Sequence, residues 1–443
     1  DPADLQAYGT DWTRQFPVAP SVIVMPKTVA EVQAVVNLAN EIPFKLVPSG
    51  GRTGLSGGAV ATDGEVVLVL DRMNQILDFN AADRQVTCEA GVVTEQLQQF
   101  AESQGLFYPV DFASSGSSQL GGNVATNAGG IKVIRYGMTR SWVTGMKVVT
   151  GRGDLLDLNR GLTKNATGYD FRHLFIGSEG TLGIVVELTM ALSAPPQDPA
   201  VLILGVEDMA QTMPVLEAFQ KRLSLTAFEF FSEQALQHVI AEKNLARPFE
   251  TAANFYALIE FEQRGEEDLE AAMALFEHCL EQGWIADGTI SQSLTQAKSL
   301  WRLREDISET IAQFMPYKND IAVRVSAVPQ FLKDVDSLVR EQYPEFEIIW
   351  FGHIGDGNVH LNILKPENLE AQAFFEQCGS VSNQVFGLVQ QYGGSVSAEH
   401  GVGLLKKPYL NYSRDQQEIE YMRLIKQAFD PNGVLNPGKV FDL

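Results

Sequence analysis

The chain has 443 residues, 45% of them hydrophobic, enough for two or three domains with cores of their own. With 33 Lys and Arg against 55 Asp and Glu, the formal net charge is −22 and the pI about 4.7. That balance excludes nucleic acid and an anionic membrane surface as electrostatic partners. No apolar run approaches the ~20 residues of an integral membrane helix. Cys88, Cys279 and Cys378 are odd in number and widely spaced, so they read as reduced thiols of a cytoplasmic protein.

Taken in order, residues 27–40 read as an amphipathic helix with Val29, Val32, Val36 and Ala39 on one face. A strand is expected at 44–47. It leads into Pro48-Ser49-Gly50-Gly51-Arg52-Thr53-Gly54-Leu55-Ser56-Gly57-Gly58-Ala59, with five glycines in twelve residues. Glycines directly after a strand let backbone N–H groups approach an anion closely. Strands at 65–70 and 85–89 and a helix near 94–103 complete a small α+β unit. A second tract, Ser114 to Gly130, is rich in small residues but too apolar at Leu120, Val124 and Ala125 for a linker. A third, Gly177 to Val185, enters another strand. Three such tracts suit one long phosphate-bearing cofactor. No G-x-G-x-x-G follows a strand. Gly433 to Lys439 spells G-x-x-x-x-G-K, but Val440 stands where a P-loop has Ser or Thr.

Pro195, Pro196 and Pro199 mark a boundary. Beyond it, strands at 201–206, 227–231 and 255–261 alternate with helices at 208–222, 232–243 and 265–281, which reads as a separate α/β cap. The stretch Leu300 to Glu309 is expected as one helix with Arg304 and Ser308 on a shared face, at i and i+4. Lys318 follows, entering a strand. Together they form a basic group that suits a carboxylate.

Of six histidines, three fall in Gly352-His353-Ile354-Gly355-Asp356-Gly357-Asn358-Val359-His360-Leu361-Asn362 and Ser397-Ala398-Glu399-His400-Gly401. The first segment is a hairpin signal with a four-residue loop at 355–358, which would set His353 opposite His360. Asn362 would share their face. Two imidazoles and the Glu399 carboxylate match a catalytic metal site with open positions. His400 is left as a general base. Glu399 and His400 reach one site only if the chain turns there, and Gly401 and Gly403 permit a turn.

The glycine tracts, with Lys164 to Asp170, resemble the FAD domain of the vanillyl-alcohol-oxidase/PCMH flavoprotein superfamily. The segments Gly352–Asn362, Ser397–Gly403 and Asn436–Lys439 resemble the FAD-linked D-2-hydroxyacid dehydrogenases, above all the bacterial members acting on D-2-hydroxyglutarate. The resemblance spans essentially the whole chain. It implies an α+β protein: a PCMH-type FAD-binding domain of two α+β subdomains at 1–193, a substrate- and metal-binding cap of antiparallel sheet and helices at 194–412, and a C-terminal return at 413–443. It places FAD on Pro48, Ser49, Gly50, Gly51, Arg52, Thr53, Gly54, Gly57, Gly58, Ser115, Gly116, Ser117, Gly121, Gly122, Asn123, Ala125, Thr126 and Asn127, with Glu179, Gly180, Ile184 and Asn436 on the flavin and adenine side. The first loop holds no His or Cys, so the FAD is expected to be non-covalent. A divalent metal, Zn²⁺ being the expectation, falls to His353, His360 and Glu399. The substrate falls to Arg304, Ser308, Lys318, Asn362 and His400. The implied activity is oxidation of D-2-hydroxyglutarate to 2-oxoglutarate, with D-lactate, glycolate or D-malate as the alternative substrate. The implied electron acceptor is an electron-transfer flavoprotein or a quinone-linked carrier, and a homodimer is compatible with the family.

Overall fold

A computed structural model describes all 443 residues and resolves them into two units. Unit 1 comprises residues 1–130, 137–195 and 399–443, and unit 2 comprises 131–136 and 196–398. Two expected boundaries move. The return to unit 1 begins at Glu399 rather than at 413, so Glu399 and His400 do not belong to the cap. Residues 131–136, expected in the first domain, belong to unit 2. There Lys132 pairs with Glu260, and Arg135 Nη2 lies 3.4 Å from Glu262. Both carboxylates are largely buried, and a buried carboxylate requires a partner.

Unit 1 contains two sheets. The first is parallel: β1 (Val22–Val24), β3 (Val66–Val69) and β2 (Leu46–Ser49), in that order. The helix Val29–Glu41 buries Val32, Val36 and Ala39, and its Thr28 side chain caps the Glu31 N–H at 3.2 Å. The second sheet is antiparallel, in the order β4 (Ile76–Asn80), β5 (Gln85–Glu89), β8 (Gly183–Ala191), β6 (Val143–Thr150), β7 (Leu155–Leu158). Its inward positions, among them Val86, Cys88, Val148, Val186 and Leu188, are fully buried. Each such Val or Leu contributes about 1.5–3 kcal/mol on burial. The C-terminal stretch returns through a parallel bridge between Leu46 and Leu435, beside the first glycine loop.

Unit 2 is a seven-stranded antiparallel sheet. Its order is β12 (Asp287–Ile290), β9 (Pro199–Val206), β11 (Phe255–Glu262), β10 (Leu225–Ser232), β14 (Ile348–His353), β15 (Asn358–Ile363), β13 (Tyr317–Ala322). Every residue of β10 is buried, as a strand covered on both faces requires. Ala235, Leu236 and Val239 of the helix Glu233–Lys243, and Ala297, Trp301 and Leu303 of the helix Leu294–Glu305, share a core with Ile349 and Phe351. The expected single helix from Leu300 to Glu309 is interrupted at Asp306, and Ile307–Ala312 forms a second helix. Arg304 ends buried and Ser308 exposed, so the two do not present one face. No helix is long and apolar enough to cross a membrane. All three cysteines are free and buried.

Candidate functional site

In unit 2 the candidate residues assemble on one face of the β10–β14–β15–β13 part of the sheet. The hairpin turns at residues 354–357, one residue earlier than expected. His353 therefore pairs with Asn358, and His360 with Phe351. Moving a hairpin loop by one residue moves every cross-strand pair by two. The two-residue period of the strand then leaves both imidazoles on the same face. Their ring centroids lie 5.4 Å apart. The loop is pinned by the Gly355 N–H, which donates to the Phe228 carbonyl at 2.9 Å. Gly357 adopts φ +90°, and a Cβ there would strike the Val323 carbonyl oxygen, so glycine is required on both counts.

Glu229, at the centre of β10 and 1% exposed, organises the pair. His353 Nδ1 lies 2.8 Å from its carboxylate and donates to it. Nε2 is then the nitrogen able to ligate, the usual arrangement of a metal-binding His with a carboxylate behind it. Arg304 Nη2 lies 2.8 Å from the other side of the same carboxylate. The guanidinium stacks 4.7 Å over Phe351, and its buried Nε has no partner. Arg304 is thus largely committed to Glu229, a pairing beside the substrate role that the resemblance implies for it. Asp320 faces His360 across β13 and β15 at 3.6 Å. It accepts hydrogen bonds from Asn358 Nδ2 at 2.8 Å and from the Ala398 N–H at 3.1 Å. Ala398 immediately precedes Glu399.

Lys318 and Asn362 are direct cross-strand neighbours, next in register to Asp320 and His360. Asn362 is 1% exposed. Lys318 reaches solvent. The protein around it holds its ammonium below the ordinary lysine pKa by desolvation alone, with no carboxylate beside it.

In unit 1 the glycine tracts converge. Pro48 and Ser49 end β2. A Cβ on Gly51 would run into the Ser117 carbonyl, and one on Gly121 would lie 2.8 Å from the Ala90 Cβ, so these glycines let backbones meet. At Gly122, in the first turn of the helix Leu120–Thr126, a Cβ would meet nothing within 4 Å. At Gly58 and Gly116 the nearest atoms are carboxylate oxygens at 3.4 and 3.3 Å. Two buried side-chain acceptors here have no partner, Gln119 Oε1 and Asn436 Oδ1. Asn436 Nδ2 donates to the Gly58 and Glu179 carbonyls at 2.9 and 2.6 Å, which ties the C-terminal return to the tracts. Open space over small residues, edged by unsatisfied acceptors, fits a long, flat, hydrogen-bonding cofactor such as FAD.

Several of the expected FAD-contacting residues also bond within the cradle itself. Arg52, at φ +59°, binds Asp71 at 3.1 Å and the Gly50 carbonyl at 2.6 Å. Asn123 Nδ2 donates to Thr94 Oγ1 at 2.7 Å. Asn127 caps its helix in the left-handed conformation, and its Oδ1 accepts the Arg140 N–H at 3.0 Å. Ser115 Oγ donates to Asp111 at 2.7 Å, and Thr126 Oγ1 donates to the Gly122 carbonyl at 3.2 Å. The Ala125 carbonyl accepts the Glu179 N–H at 2.8 Å. Ile184 is part of the β8 core. Lys439 of the rejected G-x-x-x-x-G-K is buried, bonds the Val60 carbonyl at 2.8 Å, and is pushed down to about 8 by burial. Glu399 and His400 open the last segment of unit 1, with His400 Nε2 3.6 Å from Glu399 Oε1. Gly401 and Gly403, at φ +80° and +49°, supply the turn that their adjacency needs.

The residues that sequence reading missed are Glu229, Asp320, Asp71 and Gln119. Only Glu229 carried a signal: a lone acid inside the apolar run Leu225 to Ser232.

Comparison with known proteins gives the family. The family described as "FAD binding domain" matches residues 20–159, and "FAD linked oxidases, C-terminal domain" matches 195–440. A D-2-hydroxyglutarate dehydrogenase of Stutzerimonas stutzeri is 62% identical over 441 residues, covering 100% of this chain and 95% of that one. One from Xanthomonas citri pv. viticola is 54% identical over 442 residues, covering 100% and 93%. Among solved structures, p-cresol methylhydroxylase with bound substrate has the same fold at a TM-score of 0.76 and 16% identity, covering 100% of this chain and 93% of that one. The chain therefore belongs to the FAD-linked oxidases, within the FAD-linked D-2-hydroxyacid dehydrogenases, and is a flavin-dependent oxidoreductase.

Proposed function

We propose that the chain oxidises D-2-hydroxyglutarate to 2-oxoglutarate and passes the electrons to an electron-transfer flavoprotein or a quinone-linked carrier. The observation that carries the substrate class is Lys318. It is a cation without a carboxylate partner, paired in register with Asn362 and on the same face as His360, in a protein of net charge −22. A site that keeps such a charge unneutralised is suited to an anion, and a second carboxylate on the substrate supplies one. The two bacterial relatives above carry the same substrate in their names.

FAD, when bound, supplies the hydride acceptor. His353, His360 and Glu399 would hold a divalent metal, which would supply Lewis acidity toward the substrate hydroxyl and α-carboxylate. Glu229 fixes the His353 tautomer for that role. Asn362 hydrogen-bonds the substrate and orients it. Lys318 binds the distal carboxylate, while Arg304 stays on Glu229 behind His353. His400 receives the hydroxyl proton on its imidazole.

Lys318→Ala tests the substrate class. It is expected to raise KM for D-2-hydroxyglutarate about 10- to 100-fold, the loss of one charge-assisted contact of about 1.5–3 kcal/mol, and to leave D-lactate turnover nearly unchanged. An equal effect on both substrates would remove Lys318 as reader of the distal carboxylate.

A further inference from the structure

We infer that Glu179 is a positioning residue for His400, its carboxylate holding the glycine turn that follows the base. The inference rests on the reading of His400 as base given above.

Glu179 is expected by resemblance among the flavin contacts, but its side chain is spent elsewhere. One carboxylate oxygen accepts the Val402 N–H at 2.7 Å and the other accepts the Gly403 N–H at 2.8 Å. Its own N–H donates to Ala125, and its carbonyl accepts from Asn436. One residue thus ties the second glycine tract and the C-terminal return to the His400 loop. It does so at φ +52°, a conformation that a side chain other than Asn or Asp rarely adopts. Such an outlier persists only where surrounding contacts hold it, and it points toward function.

The opposite side of the turn is held as well. Ser56 Oγ lies 2.9 Å from the His400 carbonyl and 2.8 Å from that of Gly401, and donates to them. The Ser56 carbonyl accepts the Leu404 and Leu405 N–H groups. Gly401 at φ +80° is in a conformation that strains any side chain, and a Cβ there would sit tightly, 3.0 Å from the Glu179 carboxyl carbon. The loop after His400 is therefore gripped from both sides, and Glu179 is the grip that can be removed without touching the base.

The test compares holoenzyme variants E179Q, E179A and E179G with H400A. Glycine is relaxed at φ +52°, so E179G removes the carboxylate without leaving strain. Three quantities are read: FAD bound per chain, hydrogen exchange of residues 399–405, and the rate and substrate Kd of anaerobic flavin reduction. Expected is full FAD content, with amide exchange at Val402 and Gly403 faster by about tenfold or more. The reduction rate should fall about 10- to 100-fold, with Kd moved by less than about threefold, and E179G and E179A should agree. Unchanged exchange, or an unchanged reduction rate, in E179A and E179G would overturn the inference. So would FAD loss in proportion to rate, which would make Glu179 a cofactor contact. H400A separates the two levels: an active H400A sinks the reading of His400 and this inference with it. An inactive H400A beside fully active Glu179 variants sinks only the positioning role.

Discussion

Glu229→Gln reaches further than its position behind the candidate ligands suggests. The carboxylate is 1% exposed and lies 2.8 Å from both His353 Nδ1 and Arg304 Nη2. Removing one partner of a buried ion pair costs about 3–5 kcal/mol. Glutamine keeps one acceptor oxygen, worth about 1 kcal/mol, so the expected loss is about 2–4 kcal/mol. Against a typical total of about 5–15 kcal/mol, the protein should stay folded but melt lower, by about 2–4 °C for each kcal/mol. The same change loosens the His353 ring. Loss of a carboxylate behind a metal-binding His typically weakens the metal about 10- to 100-fold. Urea unfolding of the apoprotein and metal titration at low temperature, with near-ultraviolet dichroism as a check on packing, separate the two effects. Unchanged metal affinity in a folded Glu229→Gln protein would refute the claim that Glu229 prepares His353 as a ligand.

Chelation of the holoenzyme should abolish turnover while FAD stays bound, and Zn²⁺, Mn²⁺ or Co²⁺ should restore it. Full activity after metal is shown to be absent would remove His353, His360 and Glu399 as a catalytic metal set. The pH dependence follows from Lys318. Desolvation lowers its pKa below the ordinary lysine value, so the charged form that binds a dicarboxylate is lost as pH rises through that lowered pKa. KM for D-2-hydroxyglutarate should rise on the alkaline side earlier than an ordinary lysine would cause. Lys318→Met should flatten the rise, and a rise that persists in Lys318→Met would assign it to another group. Stability runs the other way. A lysine pKa depressed by folding means that the unfolded chain binds more protons, so this group's penalty is present at neutral pH and fades as pH climbs toward the unfolded value.

The site's membership was legible in the sequence to the extent that strand period governs it. His353 and His360 share a face in either hairpin register, because both registers keep the parity of their spacing. The register itself depended on one residue of loop placement, which the turn-forming Gly355 to Asn358 did not decide. The pairing of Arg304 was not legible, for a different reason. Its partner Glu229 lies 75 positions earlier in the chain, and only the packing of the helix Leu294–Glu305 on β10 brings the two together. The domain boundary at Glu399 was hidden in the same way. Whether a loop belongs with one core or another is set by distant contacts such as those of Ser56 and Glu179 to Gly401, Val402 and Gly403. The cradle was readable as glycine tracts, because close backbone approach leaves few other residues possible at Gly51 and Gly121. The bonds that Arg52, Asn123 and Glu179 make within their own chain were not, since their partners are distant in sequence or set by the loop's fold.

The most direct measurement is an anaerobic absorbance titration of the purified FAD-bound protein with D-2-hydroxyglutarate and, separately, with D-lactate. D-2-hydroxyglutarate is expected to bleach the flavin's visible absorption at far lower concentration, and Lys318→Ala to narrow the gap between the two. Preferential bleaching by D-lactate, or no bleaching by either with metal present, would overturn the proposed activity.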